Sequence, residues 1–389
     1  MGLGFFKKQK YPEMKRVILS TLVSIFVTNI ASAQLSGDGF YRIQNNASQR
    51  YITINDDIVG EINMSSTTAD LSNIVTWRGF DYVKSNPASI IYVEAVGSKY
   101  NLAGQGTSVY KITGGRAYLD LPARDGGLNL IQTTYSGATV RLYDNTKSAD
   151  KGYVMQKNSN ADYMYWKFLP INTSDNYLGL QPTVQTSDGY YGTVYSSYSF
   201  KKVSDGIKIY YIDNVQQGAC RLQEITTEII PGNTPIIFKC SSNDPAQNMI
   251  MPVIDAGTGV SGNLLGGTLF ASITNKHEKY VEYNASTMRV LGVNSNNQLV
   301  FTTATAEQLA NDGKHIPMNT CWLNVSESIT GDLLAVDEAT YSGIRTINTD
   351  ATDNAVKQGT YTLSGIRVDD SKPLKAGIYI QNGKKMVVK

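Results

Sequence analysis

Phe40–Ile54 reads FYRIQNNASQRYITI, and its reading decides the fold class. Two short runs rich in aromatic and β-branched residues flank a polar segment, the pattern of strand, polar turn and strand. The same pattern returns in SIIYVEAVGSKYNLAGQG (Ser89–Gly106), LNLIQTTYSGATVRLYD (Leu128–Asp144) and YVMQKNSNADYMYWKFLPI (Tyr153–Ile171). Short strands at this spacing build an all-β fold. Helical periodicity is nearly absent; TAEQLANDG (Thr305–Gly313) is the best short helix, with Gly313 as its C-cap.

The chain has 389 residues, with 34 Gly, 25 Tyr and 17% charged residues, a composition that suits an extracellular β protein of two to three domains. The first domain is expected over 34–172. The second, 173–336, offers strands at IKIYYI (Ile207–Ile212), CRLQEIT (Cys220–Thr226) and TPIIFKC (Thr234–Cys240), the last two joined through Pro231-Gly232. Further strands lie in RVLGVNSNNQLVFTTAT (Arg289–Thr305) and IPMNTCWLNV (Ile316–Val325), so a β-sandwich or barrel-like domain is expected. Residues 337–358, rich in Thr, Asp and Asn, read as a linker. Residues 359–389 read as a small β meander. In it, Asn382-Gly383 supplies a type I′ turn that sets Ile380 opposite Lys385, Ile378 opposite Val387 and Tyr379 opposite Met386.

At the other end, basic residues precede the apolar run Val17–Ile30, and Ala31-Ser32-Ala33 gives an A-x-A site before Gln34. Residues 1–33 are therefore expected to be a secretory signal peptide cleaved between Ala33 and Gln34. The apolar run is short for a membrane span, so no transmembrane segment is expected after its removal. Lys7, Lys8, Lys10, Lys15 and Arg16 against Glu13 give this segment +4, and without it the formal charge falls from +2 to −2. That balance argues against a nucleic-acid partner. The expected location is the cell surface or medium, with the periplasm as the alternative.

FYRIQNNASQRYIT at the start of the first region and YWKFLP at its close resemble the ricin-type β-trefoil modules of secreted proteins in Bacteroidota-like bacteria. The resemblance implies a β-trefoil-like first domain and a glycan or host protein as its ligand, although the Gln-x-Trp of the sugar-binding repeats is absent. The last thirty or so residues resemble the C-terminal sorting domains of type IX (Por) secretion. Leu363, Gly365, Arg367 and Val368 match the first element, and Gly377, Ile378, Tyr379, Gly383, Lys384 and Lys385 the second. That resemblance implies contact with secretion machinery and attachment at the surface.

Chemistry-bearing motifs are scarce. His277 and His315 are the only histidines and neither has metal-ligand spacing, so no metal, cofactor or catalytic residue is assigned. GTGVSG (Gly257–Gly262) fits a dinucleotide-binding pattern in letters, yet no amphipathic helix follows it, and it reads as a loop. A non-catalytic binding or structural role leads; a glycan hydrolase or peptidase with an unrecognised site, and an assembly subunit, are the alternatives. Cys220 and Cys240 flank their segment symmetrically and form a disulfide if the two strands pair as a hairpin; as free thiols they are small core residues. Tyr163 and Tyr165 share a strand face with Lys167, opposite Met164, Trp166 and Phe168. Tyr190, Tyr191, Tyr195 and Tyr198 cluster as a sugar-stacking or protein-contact patch, or else cover a β core.

Overall fold

The computed structural model describes residues 35, 37–54, 63–64, 75–108, 111–112, 115–116, 118–135, 137–144, 152–155, 162–271, 280–343, 359–362, 367–368, 373–381 and 384–388. The expected signal segment with Ala33 and Gln34, His277, most of the expected linker, Gly365 and Asn382-Gly383, expected as a turn, lie outside these residues. The chain is all-β, with several curled sheets joined by turns and short 3-10 segments.

Three strands pair with Gly39–Asn45, which organises the first region. Its long antiparallel partner is Trp166–Pro170, with Tyr41 opposite Pro170, Ile43 opposite Phe168 and Asn45 opposite Trp166. The beginning and end of the region are thus zipped together. Alternation sends Tyr41 and Ile43 into a core with Ile52, Ile91, Val93, Leu102, Trp166 and Phe168. Complete burial of Phe168 contributes about 1.5–3 kcal/mol relative to exposure. After Asn45 the chain reverses because its side-chain Oδ1 accepts from the Ala47 and Ser48 N–H groups at 3.0 Å, a local turn device that Asn favours. A second sheet of Gln132–Tyr135, Ala138–Asp144, Gly152–Met155 and Asn63–Met64 completes the region.

The second region is a sandwich that curls into a half-barrel. Four strands, Leu178–Gly179, Met249–Val253, Ser199–Lys202 and Ile229–Ile230, form one sheet. They cover one face of a ten-stranded sheet, with Phe200, Ile230 and Ile250 packed on Ile209, Ile236 and Phe238. Ile237 points the other way, into a core with Ile212, Leu291, Phe301 and Leu323. This explains the apolar run Ile236–Phe238 in the strand Ile236–Cys240, which is buried on both faces there.

Four expectations are corrected. Ala219–Glu224 and Ile236–Cys240 do not form a hairpin, because Lys208–Gln216 lies between them and pairs with both. Ile229–Ile230 instead crosses to the other sheet and pairs with Phe200 and Lys201. Cys220 and Cys240 consequently sit in different cores, and they and Cys321 are free and buried. The first part of the presumed linker is structured: residues 338–343 are helical and dock on the second region, where buried Tyr341 donates its hydroxyl to Asn214 Oδ1 at 3.0 Å. Thr305–Gly313 forms only a 3-10 turn at Ala306–Gln308 with a Thr305/Gln308 capping box, since no apolar stripe continues it. GTGVSG is a loop leading into the strand Leu265–Thr268, as expected.

The C-terminal sheet of Thr360–Thr362, Gly377–Gln381 and Lys384–Val388 has the register read from the sequence, Ile380 opposite Lys385, Ile378 opposite Val387 and Tyr379 opposite Met386. Among the described residues none of its apolar side chains joins a buried cluster, and Ile378, Ile380 and Val387 are exposed. No helix among the described residues is long and apolar enough to cross a membrane.

The first and second regions are joined through shared packing. Leu269 and Phe270 of the second enter the core of the first. Arg42, wholly buried on the outer face of Gly39–Asn45, donates to Ser89 Oγ, to the Val83 and Tyr177 carbonyls and to Asn176 Oδ1, at 2.7–3.0 Å. Gln105 and Asn319 exchange amide hydrogen bonds at 2.9 and 3.0 Å, while Gln105 also donates to the Leu269 carbonyl and Asn319 to that of Tyr195.

Candidate functional site

A cleft of about 440 Å³ opens where these two regions meet, a size within the usual range of ligand pockets. Strand alternation supplies its aromatic wall. Ile91 and Val93 are buried in the first core, so Tyr92 between them must face the opposite side, beside its cross-strand neighbour Phe40. Their ring centroids are 5.0 Å apart with planes tilted by 48°, and Tyr198 of the second region stands 5.6 Å beyond Phe40. Together the three rings form a stepped apolar surface.

The polar part of the lining comes from the second region and is tightly fixed. Ser199 Oγ accepts from the Gly232 N–H at 3.0 Å and donates to the Ala256 carbonyl at 3.2 Å, tying strand, turn and loop together. Gly232 is required here, since a Cβ would meet the Ser197 carbonyl oxygen at 2.9 Å. Asn233 follows in the left-handed region at φ 55°, its N–H donating to the Ser196 carbonyl at 2.7 Å. Ile254, exposed, forms part of the rim. Among the described residues, the lining carries no carboxylate, imidazole, amine, guanidinium or thiol. Its phenols stay protonated at neutral pH: burial pushes Tyr198 far up, and burial with the nearby acids Asp38 and Glu94 raises Tyr92. The buried Tyr198 hydroxyl has no hydrogen-bond partner among the described residues. Behind it, Arg42 is lowered to about 10 by burial, an effect that Tyr198, Tyr51 and Tyr177 partly offset.

No family model, curated protein or solved structure matches this chain. Its site is therefore read from its own geometry.

The six tyrosines singled out in the sequence do not come together. Tyr190 and Tyr198 belong to the sandwich core, Tyr191 to the half-barrel core and Tyr195 to the first-region core, where its ring covers Gly267. Tyr191 is further held by Asp188, its hydroxyl donating to Oδ2 at 3.0 Å, with the Lys239 ammonium 5.4 Å from its ring centre. The segment crosses three packing environments within nine residues, so one exposed patch is impossible. Tyr163 and Tyr165 are half-buried in the first region and do not share a strand face, because Asp162–Met164 is a 3-10 turn and the strand begins at Trp166; Met164, Trp166 and Phe168 are in the interior as expected. Only Tyr198 lines the cleft. Phe40, Tyr92 and Asn233 were missed; the alternation in IIYVEAV signals that Tyr92 leaves the core, but nothing local says what it meets.

The remaining polar clusters are structural. His315 bonds Asp312 within one turn and packs edge-on against Tyr280 at 5.1 Å. Buried Asp144 is held by Arg50 and Ser48. No group of three or more His, Cys, Asp or Glu suited to a metal occurs among the described residues.

Proposed function

We propose that this protein is exported and acts as a non-catalytic binding protein at the cell surface, holding a neutral glycan in the cleft between its two regions. The observation that carries this reading is the cleft's chemistry, stepped aromatic faces beside the neutral hydroxyl and amide groups of Ser197, Ser199 and Asn233. Aromatic faces cover the C–H face of a sugar ring, and neutral hydrogen-bonding groups meet its hydroxyls. The resemblance of the first region to ricin-type modules supports the same ligand class, at a place set by the joint. The apolar C-terminal sheet, outside the buried clusters, supports the proposal that the tail is a sorting element read by secretion machinery.

The test is a neutral-glycan array probed with the full chain and with Tyr92→Ala. Binding that falls about tenfold in the variant, equivalent to about 1.4 kcal/mol, fits a stacked sugar ring. Equal binding by both proteins removes the cleft from the account.

A further inference from the structure

Resting on the glycan reading of the cleft, we infer that Asn233 is its specificity-determining residue and selects a sugar ring carrying two adjacent free hydroxyls. Three observations converge on this side chain. It lines the cleft and is exposed there, and its amide has no hydrogen-bond partner among the described residues. An unpartnered amide offers an N–H donor and a carbonyl acceptor side by side, which matches one hydroxyl accepting and its neighbour donating.

Its position is also fixed before any ligand arrives. Gly232 is locked against the Ser197–Tyr198 backbone, the Gly232 N–H is bound by Ser199 Oγ, and the Asn233 N–H is bound by the Ser196 carbonyl. Asn tolerates the left-handed backbone at φ 55° better than most residues, so both backbone and side chain favour it here. With the backbone held, only the short Asn side chain itself is left to be ordered on binding. Tyr92 and Phe40 line the same cleft and supply the face on which the ring rests.

An extended peptide also presents a donor and an acceptor, but it binds chiefly by adding to an open strand edge. At the aromatic wall none is open: Tyr92 is paired on one side with Phe40 and on the other with Ala103. A compact ring fits this surface better than a strand.

Asn233→Gly tests the role cleanly, because glycine accepts the same positive φ and loses only the amide. Asn233→Asp keeps the shape but removes the donor and adds charge. The full-length wild type, both variants and Tyr92→Ala would be titrated calorimetrically with methyl glycosides of the neutral hexoses and with their mono-deoxy counterparts. Wild type is expected to bind at least one hexoside and to lose tenfold or more when one hydroxyl of the recognised pair is removed. Asn233→Gly is expected to bind that hexoside and its deoxy form equally, and Asn233→Asp to regain no preference. If Asn233→Gly keeps the wild-type preference while Tyr92→Ala loses binding, the inference falls and the cleft reading stands. If no hexoside binds wild type, or a neutral peptide displaces the hexoside by way of Asn233, the inference falls with the glycan reading.

Discussion

Replacing Gln105 by Met tests whether the two regions act as one body. Gln105 occupies the first inner position of the two-residue turn Gln105-Gly106 between Lys99–Gly104 and Thr107–Ser108, with φ 51° followed by 71°. Asn, Asp or Gly usually fill that position of a type I′ turn, so Gln is there for its side chain. The Met side chain matches its length and leaves the turn strain unchanged, which isolates the polar contribution. Three buried groups lose their partner: Asn319 Oδ1, one hydrogen of Asn319 Nδ2 and the Leu269 carbonyl. At about 1–3 kcal/mol for each unsatisfied group, the loss is about 3 kcal/mol even at the low end. Asn319→Gly accepts the positive φ of 55° and removes the other half of the pair, so the double variant should show coupling of about 0.5–3 kcal/mol. Urea unfolding followed by Trp fluorescence and by circular dichroism measures both quantities. A cost below about 1 kcal/mol for Gln105→Met, or additive single losses, would refute a joint built on this pair.

Three further outcomes are expected. Stability should fall steadily above pH 9, because burial pushes Cys240 up to about 11 and Tyr210 to about 12, from ordinary values of 9.0 and 10.0. The unfolded chain sheds these protons first, so stability that is whole below pH 9 is lost as pH climbs towards 12; Cys220, Cys321, Tyr191 and Tyr198 act in the same direction. Among the described residues Arg42 opposes them above pH 10, and urea midpoints that rise across this range would show the balance to be misjudged. Gly266→Ala should cost about 1–3 kcal/mol by overpacking, since its Cβ would lie 2.3 Å from the Trp322 ring, and an unchanged urea midpoint would contradict that contact. Removing residues 359–389 should leave the thermal midpoint of the remaining chain unchanged while trapping it in the periplasm. Intact masses of periplasmic, surface and medium fractions check the second part, and an unchanged distribution would sink the sorting role.

Local chemistry made much of this legible from the sequence. The C-terminal register followed from Asn382-Gly383 and the identities around it, and the pairing of FYRIQN with YWKFLP united two segments already read as the start and close of one region. What failed depended on distant partners. The symmetry of Cys220 and Cys240 suggested a hairpin, but the preference of Ile229 and Ile230 for the opposite sheet decided the path. The tyrosines of Tyr190–Tyr198 looked alike in sequence, and only the sheets on either side assign them to three different interiors. The joint between the two regions includes Gln105 meeting Asn319 across 214 positions, a contact that no periodicity or turn signal encodes.

The most direct test is a crystal structure of the full chain soaked with the neutral glycan it binds most tightly on the array. Density for a sugar ring lying on Tyr92 and Phe40, with two hydroxyls on the Asn233 amide, is the expected result. A glycan bound elsewhere on the surface, with the cleft open to solvent, would contradict the central claim.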